Sequence, residues 1–193
     1  MIYLGIDPGT SRVGWAAIQV KSSKHAPYRN KVSDAGLKVK SFKSLKLETF
    51  KYQNVPAGEF LVLGCGCFEL SALSHFSRLL YISEQIKNLI KKYKPDVFSI
   101  EKIFFAKNTK TVLAVSEARG VIILEAARAG LKILEFTPLE VKIALTGYGR
   151  AEKEQVAKMT QIILNLKEIP SPDDITDALA IALTAAAINK ITA

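Results

Sequence analysis

Residues Tyr3-Leu4-Gly5-Ile6-Asp7-Pro8-Gly9-Thr10 constrain this chain more than any other stretch. Ile2, Leu4 and Ile6 alternate with Tyr3, Gly5 and Asp7, the two-residue period of a strand. Pro8-Gly9 then breaks the pattern with a turn. Asp7 therefore stands at a strand end, where a charge is costly unless a metal, a cation or solvent balances it. Three later carboxylates, Glu101, Asp174 and Asp177, are placed to meet it.

The elements that carry these acids follow from periodicity. Arg12 to Val20 alternates as a second strand and forms a hairpin with the first across Pro8-Gly9-Thr10-Ser11. Glu59 to Phe68 reads as a third strand. Ser74 to Lys92 reads as a helix, with Phe76, Leu79, Leu80, Ser83, Ile86, Leu89 and Ile90 as its inward stripe. Asp96 to Ile100, nearly all apolar, suits a buried central strand and delivers Glu101. A loop over 102–108 follows, then a helix from Thr109 or Thr111 to Ala129, stopped by Gly130. Leu131 to Phe136 is a fifth strand. Helices over 138–145, 152–166 and from Ser171-Pro172 to Ile188 complete the chain, with Gly147-Tyr148-Gly149-Arg150 as a turn between the first two. This order predicts an α/β protein. An antiparallel meander is joined by right-handed crossovers to further strands in a mixed five-stranded sheet, with helices on both faces.

At 193 residues and 49% hydrophobic, the chain suits a single domain with a real core. No apolar run reaches the ~20 residues of a membrane span. Nor is there a charged-then-apolar leader, so a cytoplasmic protein without membrane contact is expected. Cys65 and Cys67 lack a second pair to complete a zinc site and are expected as reduced, buried thiols.

Charge is distributed unevenly. Of 27 Lys/Arg and 18 acidic residues, nine and two lie between Lys21 and Gly58. Most of the net +9 is thus concentrated in this basic insertion or β-arm, about 21–58. Such a patch either contacts a polyanion or guards a sheet edge against aggregation.

Asp174 and Asp177 are three apart and share a helix face. Four carboxylates at strand ends and on one helix face have the chemistry to hold two Mg²⁺ ions. Such a pair serves attack of water on a phosphodiester. Ser171-Pro172-Asp173-Asp174 also fits a helix start, with Ser171 as N-cap, Pro172 first in the helix and Asp173 in the first turn. Capping leaves Asp177, a turn further in, unexplained.

Five motifs now stand in order: Leu4 to Thr10; Ile100-Glu101-Lys102-Ile103-Phe104-Phe105-Ala106-Lys107-Asn108; Ala118-Arg119-Gly120; Ala151 to Val156; and Asp174-Ile175-Thr176-Asp177-Ala178-Leu179-Ala180. Together they resemble the RuvC family of Holliday-junction resolvases. The resemblance implies an RNase H-like fold and a homodimer. It implies Mg²⁺-dependent, symmetric nicking of four-way DNA junctions in recombination and repair, with Mn²⁺ able to replace Mg²⁺ and a branch-migration helicase complex as partner. By motif position, Asp7, Glu101, Asp174 and Asp177 match the family's catalytic, metal-binding acids. Phe104 matches an aromatic that stacks on junction bases; a core position is its alternative, and Phe105 is the second candidate. Lys107 shares that loop, and Lys142 and Lys153 match basic positions near the scissile phosphate. Arg150 joins them as a DNA-binding candidate. The 109–129 helix matches the family's dimer helix. The long basic insertion departs from the family pattern.

Three other readings compete. One is an RNase H-like nuclease for other structured nucleic acids. Another is a non-catalytic junction-binding module whose acids are structural. The third, an ATP-binding phosphotransferase, is suggested by Asp7-Pro8-Gly9-Thr10, but that fold needs two lobes and this chain is too short.

Overall fold

The computed structural model describes residues 1–20, 56–57, 60–102 and 109–191. The basic insertion therefore lies almost wholly outside the described residues, as do Phe104, Phe105 and Lys107. Strands β1 (Ile2–Pro8) and β2 (Arg12–Val20) form the expected hairpin, paired from Ile2↔Gln19 to Pro8↔Val13. The two-residue strand β3 (Pro56–Ala57) precedes β4 (Phe60–Glu69), which pairs antiparallel with β2. Helix α1 (His75–Tyr93), β5 (Val97–Glu101), α2 (Thr109–Arg128) and β6 (Lys132–Phe136) follow, then α3 (Pro138–Thr146), α4 (Lys153–Leu164) and α5 (Asp173–Ile191). Among the described residues the sheet order is β3-β4-β2-β1-β5-β6, the five expected strands plus the short β3 at one edge. The β1–β5 and β5–β6 pairs are parallel; α1 leads from β4 into β5, and α2 from β5 into β6.

Strand parity divides the core into two layers. Leu4, Ile6, Val13, Trp15, Ala17, Phe98 and Ile100 pack on one face with Ile82, Ile86 and Leu89 of α1 and Ala118, Ile122 and Ala126 of α2. Tyr3, Ala16, Ile18, Val20 and Val97 pack on the other, against Val141 and Leu145 of α3, Val156 and Leu164 of α4, and α5. Both faces of β1 and β2 are buried, which is why these strands carry apolar residues at nearly every position.

Helix α5 is the centrepiece of the second layer, and its residues Ala178 to Ala186 are buried on every side. Two glycines let it lie directly on the hairpin. A Cβ at Gly5 would strike the Ala178 carbonyl and the Ala182 side chain, and one at Gly14 would strike the Asp174 carbonyl. Ser99, fully buried on β5, adds a hydroxyl contact to the Ile181 carbonyl at 3.5 Å.

Local signals set most boundaries. Ser74 caps α1 by accepting from Ser77 N–H, Thr137 and Glu140 close a capping box on α3, and Gly130 turns the chain at φ 67 after α2. Three expectations are corrected. The α1 stripe is rotated: Phe76 and Leu80 are exposed, at 77% and 42%, while Ile82 and Gln85 turn inward. Helix α5 begins at Asp173, so Pro172 stands just before it rather than as its first residue. Cys65 is buried but Cys67 only half-buried, both as thiols.

Candidate active site

The four acids converge at one end of the sheet. Asp7 shares its parity with Tyr3 and Gly5, and Glu101 with Val97 and Ser99, so both point to the α5 side. The β1–β5 register runs Tyr3↔Val97, Leu4↔Phe98, Gly5↔Ser99, Ile6↔Ile100. Its next step sets Asp7 beside Glu101, at the C-terminal ends of two adjacent parallel strands. Helix α5, seated on Gly5 and Gly14, brings Asp174 and Asp177 over the same end.

The electrostatics record this closeness. Burial pushes the Asp7 carboxyl up to about 8, and the charges of Asp177, Glu101 and Asp174 push the same way. Glu101 is raised by burial and then by Asp177. Asp177 is raised by burial, with Lys153 opposing. Burial and neighbouring negative charge thus oppose ionisation of three carboxyls, an environment in which added positive charge would be favourable.

Lys153 supplies part of that charge. Its ammonium lies 2.7 Å from Asp173 and 2.8 Å from Asp177. Lys153 is the first residue of α4, where a cation opposes the helix dipole, so its place is owed to the acids of α5. Burial would lower its pKa, but the two carboxylates outweigh that and raise it. Asp173 is lowered by the bond from Lys153. On the far side of the cluster, Arg12 pairs with Glu69 at 2.6 Å and approaches Asp174 at 3.9 Å.

Among the described residues no three His, Cys, Asp or Glu side chains stand close enough together to hold one metal ion. Asp177, one of the acids that the sequence reading assigns to metal, is instead paired with the Lys153 ammonium. The donor chemistry nevertheless fits a hard divalent cation: every donor is a carboxylate oxygen, and Asp7, Glu101 and Asp177 all gain from added positive charge.

Of the basic candidates among the described residues, only Lys153 is paired with these acids. Lys142 sits half-buried within α3 and Arg150 is exposed in the turn before α4; among the described residues no ion pair joins either to the four acids. Two residues beside the cluster escape a reading by motif. Asp173 passes for a capping acid but binds Lys153. Arg12 passes for an ordinary strand residue, and its one signal is its position directly after the Pro8 turn.

The model of the family described as crossover junction endodeoxyribonuclease RuvC matches residues 53–185. A crossover junction endodeoxyribonuclease RuvC from Halothermothrix orenii is 42% identical over 183 residues, covering 95% of this chain and 90% of that one. One from Caldanaerobacter subterraneus subsp. tengcongensis is 38% identical over 185 residues, with the same coverage of 95% and 90%. Among solved structures, Thermus thermophilus RuvC in complex with Holliday junction substrate is 27% identical with a TM-score of 0.77, covering 100% of this chain and 96% of that one. The yeast mitochondrial Holliday junction resolvase Ydc2, at 14% identity and a TM-score of 0.57 over 97% of this chain and 80% of its own, shares the fold. Likeness of this extent, along almost the entire length, makes the chain a member of the RuvC family of crossover junction endodeoxyribonucleases.

Proposed function

We propose that this chain is a homodimeric endonuclease that resolves four-way DNA junctions by paired, symmetric nicks. Asp7, Glu101, Asp174 and Asp177 are its catalytic acids, holding two Mg²⁺ per site, with Mn²⁺ able to substitute. The observation that carries the reading is the placement of these acids at one end of the sheet, Asp7 and Glu101 at adjacent strand ends and Asp174 and Asp177 on α5, which is seated on the same strands. Divalent ions bound there would lower the pKa of an attacking water and offset charge on the leaving oxygen. The chain's own residues do the positioning. The strand ends fix Asp7 and Glu101, and α5 carries Asp174 and Asp177 as a rigid unit. Lys153 holds a positive charge where a phosphate would dock against the acids. Lys142 and Arg150, on and just after α3, extend that positive surface and take DNA backbone contacts. Phe104, Phe105 and Lys107 lie within six residues after Glu101 in the sequence and are the candidates for stacking and phosphate contact at the branch.

Helix α2 supports the homodimer. Leu113 and Leu124 are 69% and 46% exposed, and a Cβ at Gly120 would meet open space. Positions 113, 117, 120 and 124 share one helix face, a stripe suited to a second copy. The chain acts as one RNase H-like domain, 1–193, with the 21–58 segment as an insertion on it. A branch-migration helicase partner and a cytoplasmic setting belong to the same reading. Among the described residues no helix is long and apolar enough to cross a membrane.

The test is cleavage of a synthetic four-way junction by purified protein with Mg²⁺. Ligatable nicked duplexes are expected. Glu101→Gln should bind the junction and leave it uncut; cutting equal to wild type would overturn the assignment. Competition with flap and RNA/DNA hybrid substrates separates a junction enzyme from a related nuclease.

A further inference from the structure

The Ala118-Arg119-Gly120 motif has no part in the chemistry above, and Arg119 lies on α2 rather than at the acids. Its side chain is only 18% exposed and has two fixed partners. The Nε–H donates to the main-chain carbonyl of Glu101 at 3.0 Å. A terminal nitrogen of the same guanidinium pairs with the Glu135 carboxylate on β6.

The first of these bonds falls at a weak point of the sheet. The β1–β5 ladder stops at Ile6↔Ile100, so Glu101 is the first β5 residue without a β1 partner. The peptide unit after it is nonetheless held at both polar atoms. Its N–H, from Lys102, donates to the Phe136 carbonyl at 2.7 Å, and its carbonyl, from Glu101, accepts from Arg119. Rotation of that peptide plane is what would swing the Glu101 side chain away from Asp7 and Asp177. A guanidinium suits the task because its rigid fork reaches two acceptors at once, which a lysine ammonium on a flexible stem does not.

We propose that Arg119 is a positioning residue for Glu101, clamping the peptide that follows it so that its carboxylate is presented to the divalent ion. The proposal rests on the reading of Glu101 as a metal ligand. Arg119 acts through the main chain of Glu101, not by contact with substrate, and its second arm ties the clamp to β6. Gly120, the next residue, borders open space, so α2 carries the clamp on one side and the proposed dimer face on another.

The experiment compares wild type with Arg119→Met, Arg119→Lys and Glu135→Gln. It reads the Mg²⁺ dependence of the melting temperature, junction affinity, and single-turnover cleavage. For Arg119→Met, half-saturating Mg²⁺ should rise and cleavage slow by about 10- to 100-fold, the usual effect of losing a group that orients a metal ligand. Junction affinity should stay within about twofold, since no DNA contact is lost. Arg119→Lys should restore only part of the loss, and Glu135→Gln should show a smaller one. A merely structural role would lower the melting temperature equally at all Mg²⁺ concentrations. That pattern, or an Arg119→Met protein with wild-type Mg²⁺ dependence, overturns the proposal. If Arg119→Met does not fold, a wild-type Mg²⁺ dependence in both Arg119→Lys and Glu135→Gln overturns it. A wild-type protein that is stabilised by Mg²⁺ but cuts no junction defeats the resolvase reading alone, and the Mg²⁺ titrations still decide on Arg119. A wild-type melting temperature blind to Mg²⁺ defeats both.

Discussion

The Lys153 ammonium lies 2.8 Å from a carboxylate oxygen of Asp177, placing a cation against a pocket where burial and like charges oppose ionisation. The same ammonium holds Asp173, so the N-termini of α4 and α5 are fastened together beside the acids. The acid cluster is thus partly neutralised by the chain itself, and what remains of its repulsion falls most heavily on Asp7.

Asp7 makes stability depend on pH. Its carboxyl holds its proton in the folded chain up to about 8, against an ordinary value of 3.8. Across that window the folded chain binds more protons than the unfolded, so stability from this group falls as pH rises, and levels off above the folded value. Asp7→Asn should flatten the curve. In chelator at pH 8 it should stabilise the protein by about 1–2 kcal/mol after allowance for solvent screening, while abolishing cleavage. Thermal unfolding in chelator across pH measures it, and an undiminished slope would count against Asp7 as the source.

Divalent ions must compete with that proton. Half-saturating Mg²⁺ should therefore fall as pH rises from 6 towards the Asp7 value of about 8, then change little. A Mg²⁺ titration followed by melting temperature at each pH gives the curve directly. Affinity independent of pH would mean that the acids are already ionised.

Removing the Lys153 charge should affect chemistry more than folding. Its bonds to Asp173 and Asp177 are half-exposed, so Lys153→Met should cost under about 1 kcal/mol. Without this cation the pKa values of Asp7 and Glu101 rise further. Cleavage should fall by about 10-fold or more, and its pH profile should move to the alkaline side. A lower rate with an unmoved profile would assign Lys153 to DNA contact alone.

Gly5→Ala tests the seating of α5. The new methyl would meet the Ala178 carbonyl and Ala182, backbone and short side chain that have nowhere to move. The expected loss is about 1–3 kcal/mol of stability in denaturant unfolding, with cleavage lost as α5 lifts its two aspartates from the strand ends. Wild-type stability would show that the helix sits further out.

Leu124→Glu tests the α2 face. A carboxylate at this 46%-exposed position costs a lone chain little, but buried between two copies it would weaken association by about 30-fold or more. Sedimentation should show half the mass of wild type at equal concentration. An unchanged mass would move the interface elsewhere.

Periodicity along the chain determined the elements themselves. Alternation in Ile2 to Asp7 and in Val13 to Val20, the run Val97 to Ile100 and the Gly130 stop are local patterns, and each survives in the structure. The spacing of Asp174 and Asp177 likewise settled that they share a helix face. Local pattern failed where two faces of one helix were both apolar, as in α1. There the choice of Ile82 over Phe76 and Leu80 depends on what α2 and the sheet offer.

Only the tertiary structure decided which acids meet and what else meets them. The β1–β5 register and the contact of α5 with Gly5 and Gly14 bring together residues up to 170 positions apart in the chain. Lys153 against Asp173 and Asp177, and Arg119 against the carbonyl of Glu101, are contacts between elements that no spacing along the chain encodes. Periodicity records which side of an element is apolar, whereas the partner of a charged group is set by how closely two backbones approach.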